Sequence, residues 1–334
     1  MKVAVVGVGH WHAPIYVAAL QQVGHRVAAI ADADESALER VGADLDCPLY
    51  RSTAELLERE RPDFVFAHAP HDEMTDLARQ LVAARVPFSI EKPTGVDWCE
   101  LEPVATQAAT EGVFASVALV TRTFPLVRRC RQLLEAGELG TPTHYYHRLF
   151  AGSPARYREF HVPWMLDPKR AGGGCLFNFG PHVIDLAQYL TGEHIAEVFC
   201  RRSNRTRGEA VEDLASLIMR TEGGALATAE VSYTMPEGYE RYFSLTSTTL
   251  HCSGGLAFGT ILYRDGRREE VGGAEEDWST EYVRETLRRC AQGAAPIASL
   301  QAMVRTLRVI NAAVESDRTG QPVTLPLMER GRPD

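Results

Sequence analysis

Three short stretches of the sequence concentrate side chains that could do chemistry. The first is Gly7-Val8-Gly9-His10-Trp11-His12, which closes an apolar run, Lys2–Gly7, read as a buried strand. Gly7 permits a tight turn and Gly9 lets backbone approach a pyrophosphate. The helix expected from about Trp11 then turns free N–H groups and a positive dipole toward that anion. Asp32 ends the next strand, Arg26–Asp32, where a carboxylate accepts hydrogen bonds from an adenosine ribose and repels a 2′-phosphate. NAD is therefore expected, with NADP as the other candidate. His12 stands where the usual fingerprint has its third glycine, so the match is imperfect.

The second stretch is Glu91-Lys92-Pro93, at the end of a strand read over Pro87–Glu91. Lysine is rare in this chain: only Lys2, Lys92 and Lys169 among 35 lysines and arginines. A lysine can be tuned by burial to move a proton, which arginine does poorly. Ligands of open α/β sheets bind beyond the carboxyl ends of strands, where Lys92 falls. Pro93 biases Lys92 toward extended backbone and makes the bond between them a candidate for the cis form. On position alone, a surface lysine ending a strand is the favoured reading of Lys92.

The third stretch runs from Gly172-Gly173-Gly174 through Cys175-Leu176-Phe177-Asn178-Phe179-Gly180-Pro181-His182-Val183-Ile184-Asp185. Three glycines let backbone pass close to something. Asn178, His182 and Asp185 share one face if the helix is continuous, and Pro181 predicts a start or a kink there. His182 is a candidate general base or acid. Its plain alternative is a packed core histidine, and Asp185 reads as structural.

The elements that must carry these stretches are legible as two patterns. Up to about residue 120, six strand runs alternate with helical runs, which implies a parallel, doubly wound sheet. One amphipathic helix follows, about Leu126–Ala136. Alternating runs such as THYYHRLF, DLASLIMR and ALATAEVSY then suggest an antiparallel sheet. Two helices close the chain, near Ser279–Gln292 and Ser299–Asp317. The expected division is a dinucleotide-binding Rossmann domain over residues 1–121 and an α+β domain with an open, mainly antiparallel sheet over residues 122–334.

A chain of 334 residues with 45% hydrophobic and 24% charged residues has the composition of an ordinary globular protein. A formal net charge of −9 argues against nucleic acid as the main partner. The seven cysteines contain no Cys-x-x-Cys spacing, which suits reduced thiols in a cytoplasm. No apolar run approaches the length of a membrane span, and no signal peptide is evident.

Taken together, VAVVGVGHWH, VAAIAD, SIEKP and GGGCLFNFGPHVID resemble the Gfo/Idh/MocA family, the glucose–fructose oxidoreductase and inositol dehydrogenase relatives, over essentially the whole length. The resemblance implies a Rossmann domain followed by an α/β domain whose open sheet often joins subunits into dimers or tetramers. It implies NAD(P)-dependent hydride transfer at a carbon of a sugar, cyclitol or related polyol. The family's reacting lysine and histidine map to Lys92 and His182, and its aspartate position is Asn178 here. Asparagine can orient a substrate hydroxyl but carries no charge at neutral pH. The base role therefore falls to His182, with Lys92 as its electrostatic and proton-relay partner. The expected cofactor set is Gly7, Gly9, His10, Trp11, His12, Asp32, Ala69, Pro70, Glu91 and Lys92. Lys92, Trp164, Asn178 and His182 are the expected substrate contacts.

Two further readings keep the cofactor but change the outcome. Some relatives cleave glycosidic bonds by transient oxidation, and a protein without the aspartate could be a non-catalytic nucleotide sensor. The clustered histidines (His10, His12, His68, His71, His144, His147, His161) show no zinc-ligand spacing, so no metal is expected. The basic run from Arg201 to Arg207 reads as a solvated loop.

Overall fold

The computed structural model of the chain describes residues 1–255, 257–272 and 277–326. Its first stretch alternates β1 (Val3–Val6), α1 (Ala13–Gln22), β2 (Val27–Ala31), α2 (Glu35–Gly42), β3 (Leu49–Tyr50), α3 (Thr53–Glu60) and β4 (Phe64–Ala67). Then come α4 (Met74–Ala83), β5 (Phe88–Ile90), α5 (Trp98–Glu111), β6 (Ala115–Val117) and α6 (Pro125–Glu135). After β7 (Pro142–Ala151) the short helices α7 (Arg156–Glu159) and α8 (Pro168–Ala171) lead into the long α9 (Cys175–Thr191). Seven strands follow: β8 (Ile195–Ser203), β9 (Leu214–Thr221), β10 (Leu226–Ser232), β11 (Tyr239–Ser247), β12 (Leu250–Gly254), β13 (Gly259–Tyr263) and β14 (Arg268–Val271). The described chain ends with α10 (Trp278–Ala291), α11 (Leu300–Thr319) and β15 (Val323–Thr324).

These elements form two compact units that are discontinuous in sequence. The first comprises Met1–Ala118, Ala155–Gly172 and Asp277–Val304, and the remaining described residues build the second.

The first unit is organised by a parallel six-stranded sheet in the order β3-β2-β1-β4-β5-β6. Its central strands are covered on both faces, which is why they read as unbroken apolar runs: every residue of β1, β4 and β5 is buried. The strand order reverses between β1 and β4, and their carboxyl ends carry Gly7 and His68. Local signals set the helix ends. Asp34, Ser52 and Asp97 accept backbone N–H bonds at the starts of α2, α3 and α5, and Gly112 takes the left-handed conformation after α5. Helix α10 runs along α1 and sends the Tyr282 hydroxyl to Ser89 Oγ at 2.9 Å and Ser116 Oγ at 3.2 Å.

The second unit holds a nine-stranded sheet in the order β14-β13-β12-β11-β7-β10-β9-β8-β15. The antiparallel expectation holds for every pair but one: β7 and β10 run parallel, with His147 opposite Ala229. The chain leaves β7 through α7, α8, α9, β8 and β9 before it returns, the long crossover that a parallel neighbour requires. Helices α6 and α9 pack together, and α9 lies against β7, β9 and β10. Pro181 neither starts nor ends α9, which is continuous from Cys175. The interior strand β12 and the edge strands β14 and β15 went unread in the sequence.

The Arg201–Arg207 run is used structurally. Arg202 Nε lies 3.1 Å from Asp317 Oδ2, and Arg207 donates to the carbonyls of Tyr233, Thr234 and Met235. Among the described residues, no helix is long and apolar enough to cross a membrane.

Candidate active site

In the first unit, the turn after β1 is built by close approach. Gly7 has φ of +71°, and a Cβ there would fall 1.7 Å from the His68 carbonyl oxygen. Only glycine satisfies both the conformation and the space. Gly9 donates its N–H to Asp32 Oδ2 at 2.7 Å, and a Cβ at Gly9 would come within 3.2 Å of that oxygen. Asp32 Oδ1 accepts the Asp34 N–H at 2.8 Å. The carboxylate is thus fixed beside the loop while remaining partly exposed. This donor and acceptor set fits a dinucleotide: a glycine turn at the start of α1, with an oriented carboxylate at the end of β2.

Beyond the turn lies a buried polar cluster at the carboxyl ends of β1, β4 and β5. His10, His12, His68, His71, Glu91 and Lys92 are all at most 9% exposed. Glu91 Oε1 accepts the Tyr16 hydroxyl at 2.9 Å and lies 3.2 Å from His12 Nδ1. Burial alone would raise the Glu91 carboxyl, but the His12 ring beside it and the Lys92 charge outweigh it and hold it well below the usual carboxylate range. Tyr16 is pushed up by burial and by Glu91, so it stays protonated.

The neighbouring imidazoles behave oppositely. Burial lowers His68 to about 4 and His71 to about 3, and drives His10 well below its ordinary value. These three rings are neutral at pH 7. His71 Nδ1 lies 2.9 Å from the Ala171 carbonyl, which fixes its tautomer as a donor there. Among the described residues, no group of three or more His, Cys, Asp or Glu side chains could hold a metal ion.

Aromatic rings close over this cluster. Trp164 lies 5.8 Å from the His10 ring and 5.0 Å from the His71 ring. Trp11 stacks on Phe160 at 6.0 Å with 11° between planes, and meets Tyr157 edge-on. Ala69 and Pro70 follow β4 as partly exposed backbone, and Pro70 leads into a 3-10 turn at His71–Glu73. The Lys92–Pro93 bond is cis.

Asn178 and His182 belong to the second unit, one helical turn apart on α9, and both are buried. The glycine run ahead of them makes room for Glu212. A Cβ at Gly174 would fall 2.0 Å from the Glu212 carbonyl oxygen, and one at Gly173 would fall 3.1 Å from Glu212 Oε2. The Glu212 carboxylate accepts the Leu176 N–H at 3.0 Å, placing a negative charge at the helix N-terminus. Asn178 Nδ2 donates to the Tyr233 hydroxyl at 2.9 Å. Asp185 receives Arg122 through Nε at 3.0 Å and through a second guanidinium nitrogen at 2.7 Å. Its structural reading stands, with Arg122 as the partner.

Sequence reasoning missed Tyr16, Arg122, Glu212 and Tyr233 as members of these clusters. Tyr16 alone left a usable trace, since it lies four residues after His12 and shares its helix face. The others meet their partners across long sequence separations.

Comparison with known proteins agrees with this architecture. The family profile described as the oxidoreductase family with NAD-binding Rossmann fold matches residues 1–119, and the GFO/IDH/MocA C-terminal domain matches residues 127–257. Inositol 2-dehydrogenase 2 of Mycolicibacterium vanbaalenii is 27% identical over 347 aligned positions, covering 99% of this chain and 96% of that one. D-xylose 1-dehydrogenase (NADP(+)) 2 of Haloferax volcanii is 26% identical over 321 positions, covering 92% and 95%. An oxidoreductase domain protein from Kribbella flavida shares the fold, with a TM-score of 0.86 at 19% identity over 98% of this chain and 99% of that one. The chain belongs to the Gfo/Idh/MocA family and is an NAD(P)-dependent oxidoreductase of that family.

Proposed function

We propose that the protein transfers a hydride between nicotinamide and a CH–OH carbon of a sugar, cyclitol or related polyol. The observation that carries this reading is Lys92, buried beside an ionised Glu91 at the carboxyl end of β5 in a sheet that carries the glycine turn and Asp32. Bound NAD supplies the hydride acceptor. Within the chain, the His182 imidazole takes the hydroxyl proton in the oxidation direction. The Lys92 ammonium stabilises the oxygen as negative charge develops on it and relays the proton with His182. Asn178 orients a substrate hydroxyl, and Trp164 offers an aromatic face to a sugar ring. Gly7, Gly9, His10, Trp11, His12 and Asp32 hold the nucleotide, with Ala69, Pro70 and Glu91 beside it. Residues 1–121 would carry the cofactor, and 122–334 the substrate and subunit contacts.

Titration with NADH and NADPH, followed by nicotinamide fluorescence, tests the cofactor reading. NADH should bind more tightly. Asp32→Ser should cost NADH at least about tenfold in affinity, because it removes a charged hydrogen-bond acceptor. An NADPH preference in the wild type would overturn the role given to Asp32. A polyol screen with NAD then tests the reaction. Release of an aglycone without net NADH would indicate the glycosidase chemistry instead, and binding without turnover on any polyol would indicate a sensor.

We also propose that a second copy of the chain covers the outward face of the nine-stranded sheet. Leu262, Tyr242, Leu226 and Ile218 are each at least 41% exposed there, on β13, β11, β10 and β9. They are interspersed with the oppositely charged pairs Arg148–Glu240 and Arg220–Glu197, so the face is self-complementary in both polarity and charge. Ile218→Asp combined with Leu226→Asp should lower the mass measured by light scattering to that of one chain. An unchanged mass in the double variant, or a monomeric wild type, would refute the assignment.

A further inference from the structure

We propose that His12 is a side-chain ligand for the cofactor pyrophosphate, and that Glu91 and Tyr16 are positioning residues for its ring. The inference rests on the nucleotide reading of the glycine loop.

The starting point is where the loop's backbone donors go. Gly9 N–H is held by Asp32 Oδ2 at 2.7 Å, and His10 N–H by the Gly7 carbonyl at 3.0 Å. His12 N–H donates to His10 Nδ1 at 3.1 Å, and Ala13 N–H to the His10 carbonyl at 2.9 Å. Pro14 has no N–H at all. A glycine-rich turn ordinarily offers such amides to a phosphate. Here much of the set is committed within the loop, and one amide is capped by an imidazole.

At the same place the chain carries a ring where the usual fingerprint has a glycine. His12 is the N-cap residue of α1. Its Nδ1 faces Glu91 Oε1 at 3.2 Å, and the Tyr16 hydroxyl reaches the same oxygen at 2.9 Å. Tyr16 is itself wedged among Phe66, His68 and Tyr282. The His12 ring lies against Trp11 at 3.6 Å between centroids and edge-on to Trp278 at 6.3 Å. With Nδ1 3.2 Å from Glu91 and the ring packed against two indoles, Nε2 is the ring nitrogen that remains to meet a ligand at the start of α1. A carboxylate behind an imidazole orients the ring and strengthens it as a donor, as outer carboxylates do for ligating histidines.

Charge balance points the same way. The groups facing His12 are the neutral rings of His10, His68 and His71, the protonated Tyr16, the ionised Glu91 and the Lys92 ammonium. A pyrophosphate brought near Glu91 meets a like charge. A ring N–H between them gives the incoming oxygens a donor instead of a bare carboxylate.

The test compares NADH, ADP-ribose and adenosine by equilibrium binding to the wild type and to His12→Gly, which restores the customary glycine. Thermal unfolding without ligand checks that the variant is folded. Loss of one charge-assisted hydrogen bond should weaken NADH and ADP-ribose by about tenfold or more, and leave adenosine nearly unaffected. His12→Gln keeps a neutral donor and should fall between the two. Glu91→Gln and Tyr16→Phe should weaken the same two ligands by smaller factors. His12→Gly binding NADH as tightly as the wild type would overturn the proposal and leave the nucleotide site intact. A folded wild type that binds neither NADH nor ADP-ribose would overturn the nucleotide reading and this inference with it.

Discussion

Replacing Lys92 with alanine is expected to lower turnover by roughly 10²- to 10⁴-fold, the range typical of a positioned proton-transfer group. NADH affinity should change little. Lys92 follows β5 by two positions and is only 4% exposed, so its ammonium is held in a poorly solvated place where an opposite charge is worth most. Its charge is felt by both Glu91 and His71. The decisive comparison sets steady-state turnover beside the NADH dissociation constant and the unfolding midpoint of the same variant. Near-normal turnover would remove Lys92 from the reaction. Joint loss of binding, folding and turnover would mean that it only supports Glu91. Lys92→Arg should rescue little, because arginine keeps the charge but does not exchange a proton near neutral pH.

Asp185→Ala should cost the second unit about 3–5 kcal/mol of stability, since it strands a buried guanidinium. The Asp185 carboxylate and the Arg122 side chain are at most 4% exposed and are joined by two hydrogen bonds. Arg122 also lies 4.3 Å above the Tyr189 ring, which adds to the environment that Asp185 balances. Arg122→Met with Asp185→Leu should recover most of the loss, because an apolar pair of similar volume avoids the desolvation of two ions. Urea unfolding followed by circular dichroism measures both variants. If the single and double variants unfold at the same denaturant concentration, the pair is not what holds α9 in place.

Much of the first unit could be read from the sequence because its signals are local. A parallel strand buried on both faces leaves a run such as Val3–Val6 or Phe64–Ala67, and Asp34, Ser52 and Asp97 mark helix starts within two or three residues. Edge strands lack such a mark. β14 reads Arg-Glu-Glu-Val, a charged sequence that protects an edge and resembles a loop. β15 has only two residues and exists because β8 offers it a partner. Pro181 misled in the other direction: a local breaker was overridden by the burial of nearly the whole of α9. The candidate site divides the same way. Gly7, Gly9, Asp32, Lys92 and His182 stand in short recognisable spacings. Glu212 beneath the triple glycine and Tyr233 on Asn178 are separated from their partners by tens of residues, so nothing near either one announces the other.

The chain passes between its two units five times, after residues 118, 154, 172, 276 and 304. During synthesis, then, the first 118 residues emerge with their parallel sheet but without the helix that carries Tyr282. Ser89 and Ser116 wait for a hydroxyl that arrives more than 160 residues later. The Gly7 turn likewise precedes its aromatic cover, since Tyr157, Phe160 and Trp164 come from the middle of the chain. A fragment cut near residue 121 would expose those surfaces, so this cofactor-binding module should resist excision and grafting. A transplant that respects the fold must carry the segments 155–172 and 277–304 with it.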